Sequence, residues 1–538
     1  MRAGSTPRKV LAGLILIALT AAACGDDDDG TSAAAGTAAA ATPTEQAATT
    51  AADGAVDPDG VLRVGQALSS ATLFLDPTMA PAGIHRILYA IYGNLLVKTE
   101  DGSYEPSMAT SVEVVDSRTI EVKLREGMTF SDGTPVDAEA LKFNLERMAA
   151  AGNTRGLRAE VIGALTEVEV TGPLAATVHL GTPTAGAFYD LFAGPETALL
   201  SPSAIRAGQD MNAKPVGADP FVLESLQPDV KMVLEKNPDY WNADEVLLAG
   251  LEYIHVSPGP PVVTALRSGA IDLPGLSLSH STAEELGDPF VVEMRPQDGI
   301  FQVDICKKDP PLSDVRVRQA LAFAIDRERL AARLYGDEAE PAWGLKRSKD
   351  PAYNAELEGV YAHNPERARE LLAEAGYPDG FSTSMIVSEG TSSVAGEILQ
   401  AQWSEVGVEV ELITSPSSIL DFYLETKAPM YPVAQSRAGI DGYTVRLLPG
   451  AFANVCDYSN PEIQDVVAEV VAAAPGSAEA TEAWQRLSTL VAQELPILPI
   501  VFHSEALAHN GDRVGGVTWL IDEIGIRMPN LEGIYIKA

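Results

Sequence analysis

The 538-residue chain carries 75 Asp plus Glu against 38 Lys plus Arg, a formal net charge of -37. A surface of that sign repels phosphate backbones and anionic headgroups, which argues against a nucleic-acid partner, and acidity also serves solubility alone. The length exceeds what one compact core fills, so two or three subdomains are expected.

The chain begins with an address. Arg2, Arg8 and Lys9 give a positive start, Val10 to Ala18 a short apolar stretch, and Thr20, Ala21, Ala22 and Ala23 lead into Cys24. An apolar core this short suits export rather than a membrane span. Cys24 behind three alanines resembles the cleavage box of bacterial lipoproteins. That resemblance implies a signal over residues 1–24, cut so that a diacylglycerol on Cys24 anchors the new N-terminus. Ala21 stands where such boxes usually have leucine, and a plain cleaved signal with a stray cysteine is the alternative. Residues 25–60 are Ala, Thr, Gly and Asp with almost no large apolar side chain, too little to offset the entropy of ordering, so they are expected to form a disordered tether. No later segment reaches about 18 uninterrupted apolar residues.

From Val61 onward strand-like and helix-like segments alternate. Thr119 to Leu124 has the two-residue period of a half-buried strand. Asp137 is placed to cap a helix whose apolar stripe is Leu141, Leu145 and Met148. Asn364 and Pro365 read as a cap and first-turn proline, with Leu371, Leu372 and Ala375 following and Gly376 as the stop. Between Phe381 and Ile413 the pattern is strand, helix and strand with short joints, which predicts a βαβ unit and a parallel sheet.

Several segments in order resemble the extracellular solute-binding proteins of family 5, the oligopeptide, dipeptide and nickel binding group. They include Leu75-Asp76-Pro77, Asp101 to Pro106, Leu124 to Pro135 and Pro215-Val216-Gly217. Asn237-Pro238-Asp239-Tyr240-Trp241, Ala265 to Asp272, Asp314 to Leu321 leading into Ala324 to Arg327, Leu371 to Gly380 and Tyr458 to Glu462 complete the series. Singly these are turns and caps; together they span nearly all of the mature chain. The resemblance implies an α/β, two-lobed periplasmic-binding-protein fold (type II-like, cluster C) with an inserted subdomain and a two-segment hinge. Its layout implies lobe I from 61–92, 212–303 and 507–538, an insertion over 93–211, and lobe II over 304–506. The chain would cross between lobes near Val303 to Cys306 and near Val501 to Ala506. The function implied is a lipid-anchored solute receptor of an ABC importer, working with permease and ATPase subunits as a monomer. Its cargo would be a small molecule, with a peptide or peptide-like ligand leading. A surface sensor or adhesin of the same fold is the alternative.

In peptide-binding relatives an Asp-Pro-Asp loop takes the peptide amine. The corresponding stretch here is Ser436-Arg437-Ala438-Gly439-Ile440-Asp441-Gly442-Tyr443, without the proline. Arg437 could take a ligand carboxylate and Asp441 a cation, with Tyr443 beside them; pairing of Arg437 with Asp441 is the alternative. Ser69, Ser70 and Thr72 form a second candidate, or a plain turn at a strand end. Phe221, Trp241, Trp403 and Trp484 read as core, whereas Trp343 and Trp519 could face the cleft, with packing favoured. Cys306 and Cys456 face an oxidising compartment and are a candidate disulfide, although spacing does not supply their separation. Seven histidines lie scattered without HExxH or CxxC spacing, so no metal site and no cofactor are expected. With no P-loop, GxGxxG or GxSxG, no catalytic residue is assigned either.

Overall fold

The computed structural model describes residues 55–538 apart from 71–72, 80–83, 100–101, 152–156, 258, 337–338, 436–438, 522–524 and 526. Cys24 and the tether up to residue 54 lie outside the described residues. Within the described residues the longest strands are Phe290–Ile305 and Ile497–Asn510, paired antiparallel from Phe290 opposite Asn510 to Asp304 opposite Ile497. Along this pair the core changes. Phe290, Val292, Met294, Ala506 and Ala508 pack with Val262, Leu266 and Ile271. Phe301, Val303, Ile305, Leu498 and Ile500 pack instead with Leu321, Leu372 and Trp403. The exchange falls between Met294 and Phe301 on one strand, and between Val501 and Ala506 on the other. Val303 and Ile305 belong to the second of these cores.

The ladder breaks at this exchange, between Pro296 and Ile300. Proline has no N–H to donate, and a Cβ on Gly299 would stand 2.4 Å from the Gln435 carbonyl oxygen and 2.6 Å from His503 Nε2. Only glycine permits that approach.

On one side of the exchange lies a five-stranded sheet in the order Leu273–Pro274, Val61–Gln66, Gly250–His255, Lys231–Lys236, Phe221–Gln227, with its first three strands parallel. On the other, Phe381–Val387 and Val408–Thr414 pair in parallel around the helix Thr391–Ser404, as the sequence predicts. The alternation in Phe381–Val387 gives way at its end to three buried residues. Met385 and Val387 face the core around Trp403, while Ile386 faces Phe422 and Tyr431, so both faces of the strand are covered. Trp403 donates its Nε1 proton to the Leu321 carbonyl at 3.0 Å, which satisfies the one polar atom of a fully buried ring.

The strand Thr119–Leu124 buries Ile120, Val122 and Leu124 within a four-stranded antiparallel sheet spanning Ala109 to Leu180. The helix Ala138–Ala151 starts where expected, its Ala140 N–H donating to Asp137 at 2.9 Å. Asn364 likewise caps Pro365–Glu374, and Gly376, with φ +95°, carries the chain away from it. The strands Leu96–Lys98 and Trp519–Ile521 pair, so the inserted segment shares a small sheet with the C-terminal segment. Among the described residues, no helix is long and apolar enough to cross a membrane.

Candidate functional site

A cleft of about 740 Å³ opens beside the strand exchange. That size lies within the roughly 300–1,000 Å³ of small-molecule sites. Arg295, Pro296 and Asp298 come from the broken ladder itself, and Arg527 from the strand Arg527–Pro529. The inserted segment supplies Lys98, Tyr104 and Asp190. The later segment supplies Lys346, Arg347, Lys349, Asp350 and Trp484.

Several of these side chains are held from behind. Arg527 is nearly fully buried, ion-paired to Glu505 at 2.7 Å and donating to the Pro296 carbonyl at 2.8 Å, which ties the C-terminal strand to the exchange point. Arg295 donates from Nε to Glu293 at 3.1 Å. Tyr104 donates its hydroxyl to Asp190 at 2.7 Å and meets Tyr189 edge-on at 5.3 Å. Arg347 differs from these. Its acids, Asp298 at 3.7 Å and Glu340 at 3.5 Å, stand beyond hydrogen-bond reach, and its buried Nε has no hydrogen-bond partner. Trp484 sits on the helix Ala478–Glu494, capped by Ser477, whose Ala480, Ala483, Leu487 and Val491 face the core. Its ring packs half-buried against the core, as expected, and also lines the cleft, with Lys346 Nζ 4.0 Å from the ring centroid.

Two elements meet closely across this region. The helix Ala185–Leu191 lies against the end of the helix Pro461–Ala472, and a Cβ on Gly186 would fall 1.9 Å from the Ala473 carbonyl oxygen. Glycine is required there by the approach alone.

His503 lies buried behind the cleft, its ring 5.6 Å from that of Tyr335. Burial pulls its pKa below the usual imidazole value, and the nearby Arg527 adds to this against the opposing pull of Gln435 and Glu505. The neutral form is therefore the folded form, and stability is complete above about pH 6.5, the unfolded value. It falls as pH drops below 6.5 and levels off under the lowered folded pKa. Thermal melts should show His503→Gln losing less Tm than the parent between pH 6.5 and 5; parallel curves would remove His503 as a source of acid sensitivity.

The residues expected at the site fare unevenly. Arg437 and Thr72 lie outside the described residues, as does the side chain of Asp441, whose backbone falls in the helix Ile440–Leu447. Tyr443 is fully buried, donates its hydroxyl to the Leu345 carbonyl at 3.0 Å and meets Trp484 edge-on at 5.8 Å. It packs behind the cleft while its neighbours Gly439 and Ile440 line it. Ser69 and Ser70 sit in a turn in which Ser70 N–H donates to Asp229 at 3.2 Å, and neither is among the lining residues. The two tryptophans for which packing is favoured over the cleft do pack: Trp519 is buried, and Trp343 lies against the second core under Arg327 at 5.3 Å. Phe221 is core. Cys306 and Cys456 are bonded, with Cα atoms 5.3 Å apart.

The lining cations were missed, although one signal was available. Lys346-Arg347-Ser348-Lys349 places three cations in four residues of a strongly acidic chain.

A sequence profile described as bacterial extracellular solute-binding proteins, family 5 Middle, matches residues 103–447. Glutathione-binding protein GsiB of Escherichia coli K12 is 26% identical over 487 residues, 87% of this chain and 93% of that protein. The solved substrate-binding protein CtaP of Listeria monocytogenes superposes with a TM-score of 0.75 at 20% identity, over 89% of this chain and 100% of that one. The periplasmic binding protein DppA of Helicobacter pylori, solved with the peptide STSA, gives 0.69 at 20% identity, over 89% and 98%. The fold is thus the two-lobed α/β periplasmic-binding-protein fold expected from the sequence.

Proposed function

The chain belongs to the bacterial extracellular solute-binding proteins of family 5, and on that basis we propose that it is the lipid-anchored receptor of an ABC importer, closing a hinged cleft on a small solute. The leading class of solute is a peptide or peptide-like molecule, by analogy with the glutathione-binding and peptide-complexed relatives. In this reading Cys24 carries the lipid, residues 25–60 tether the fold above the membrane, and the permease and ATPase subunits take the cargo. Lobe I would comprise 61–92, 212–303 and 507–538, with lobe II over 304–506.

One observation carries the reading. The cleft stands at the place where two paired strands pass from one core to another, with the ladder broken there. Two chain crossings allow rigid halves to swing through a few dihedrals, and polar groups contributed from both sides then orient the guest while closure excludes water. No step of covalent chemistry is required.

The test uses thermal shift of the purified chain against peptide, metal-chelate and sugar pools. Stabilisation by one class is expected, since a ligand that binds only the folded form raises Tm. Closure has its own probe. Gly186→Ala places a methyl against the Ala473 carbonyl, so the two helices must part: ligand affinity should fall about tenfold, and the ligand-free Tm should fall as well. Unchanged affinity would mean that binding does not bring these helices together.

A further inference from the structure

The charge of the cleft is opposite to that of the molecule. Lys and Arg are 38 of the chain's 538 residues, yet they are six of the 27 described residues that line the cleft. Asp190, Asp298 and Asp350 are the acids among those lining residues. Part of this positive charge is answered from behind, by Glu293 on Arg295, Glu505 on Arg527 and Asp350 on Lys346. What is left over is specific. Lys349 is exposed and Lys98 half-buried, and neither forms an ion pair with an acid among the described residues. Arg347, with only 13% of its side chain exposed, has its two acids at ion-pair range and its Nε unbonded.

A guest entering this cleft strips water from these cations. A neutral or cationic guest would leave Lys98 and Lys349 without an acid and Arg347 with only its long contacts to Asp298 and Glu340, which is costly, whereas carboxylates would replace the lost hydration. The planar guanidinium of Arg347 is suited to a two-oxygen acceptor, and the two lysines, supplied by the inserted and the later segment, to further negative charge. A concave positive site on an acidic protein also concentrates anions from solution.

We propose that the solute is a net anion carrying at least two carboxylates, one held by Arg347 and the other by Lys98 and Lys349. The proposal rests on the receptor reading above and narrows its substrate class.

Titration calorimetry on the purified full chain tests it with tripeptides bearing two glutamates, their glutamine isosteres, their lysine counterparts, and glutarate as a peptide-free dicarboxylate. The acidic tripeptides should bind at least about tenfold tighter than the glutamine isosteres, with the advantage shrinking at about 0.5 M salt. Arg347→Gln and the exposed-site change Lys349→Gln should each weaken the acidic tripeptides by about tenfold and leave the isosteres within about twofold. Glutarate binding with the same salt and variant dependence upholds the anion class and moves the source of the carboxylates away from peptides. Glutamine or lysine tripeptides binding as tightly as the acidic ones would overturn the proposal while leaving a receptor. Failure of every probe here, together with every pool in the thermal screen, would overturn the receptor reading itself.

Discussion

Replacing Asp272 with alanine should cost the folded state about 3 kcal/mol, read as a lower denaturant midpoint at unchanged slope. Its carboxylate is completely buried, accepts from the Arg63 backbone N–H at 2.9 Å and from Arg63 Nε and Nη2 at 3.1 and 2.6 Å, and pairs with Arg513 Nε at 2.9 Å. Arg63 belongs to the first strand, Asp272 to the middle of the chain, and Arg513 to the C-terminal segment. One carboxylate therefore joins three stretches far apart in sequence. Removing it leaves the Arg63 backbone donor and guanidinium without an acceptor and takes the charged partner from Arg513, which keeps the Val61 carbonyl at 3.3 Å. Both arginine side chains reach water, at 28% and 38% exposure, which holds the expected loss at the low end for a broken buried pair. Asp272→Asn keeps the shape and some acceptor capacity, so it should lose less. A loss under about 1 kcal/mol for alanine would show that rehydrated arginines suffice and that the cluster is not a tie.

Removing the disulfide by Cys306→Ser with Cys456→Ser should cost about 2–5 kcal/mol. The bonded residues are 150 apart in sequence, and a closed loop of that size restricts the unfolded chain by about 5 kcal/mol in the chain-entropy picture. The bond also closes a small cluster containing Ile386, Phe422 and Tyr431, at the side of the second core away from Trp403. Two neighbouring residues, Cys456 and Asp457, hold φ of +64° and +51°, a conformation that non-glycine residues adopt at a cost and that the crosslink and packing offset. Neither cysteine is among the lining residues of the cleft. The variant should thus melt earlier yet bind its ligand with unchanged affinity at 25 °C. Equal Tm with and without reductant would refute the stabilising role.

Local patterns were readable wherever the physics is short-range. Asp137 and Asn364 cap because a side-chain oxygen satisfies an orphan N–H three residues on. The βαβ unit from Phe381 to Thr414 was legible because apolar period changes from two to about three and a half and back. Periodicity places Trp484 against the core, where it packs half-buried, but does not show that it also lines the cleft. Tyr443, read at a binding loop, is buried, and its hydroxyl donates to the Leu345 carbonyl, a contact 98 residues away that no local pattern carries.

The βαβ unit, the strand Thr119–Leu124, two helix caps and, through motifs in a fixed order, the family and its two-lobed architecture are all legible in the chain, because they depend on neighbours within a few turns. Tertiary structure alone decided that Lys98, Arg295, Arg347, Lys349, Trp484 and Arg527 share one cleft, that Asp272 meets Arg63 and Arg513, and that Cys306 reaches Cys456. Those contacts join residues up to hundreds of positions apart, where chain spacing carries no distance information. Strand pairing within the sheets and the packing of the cores bring them together.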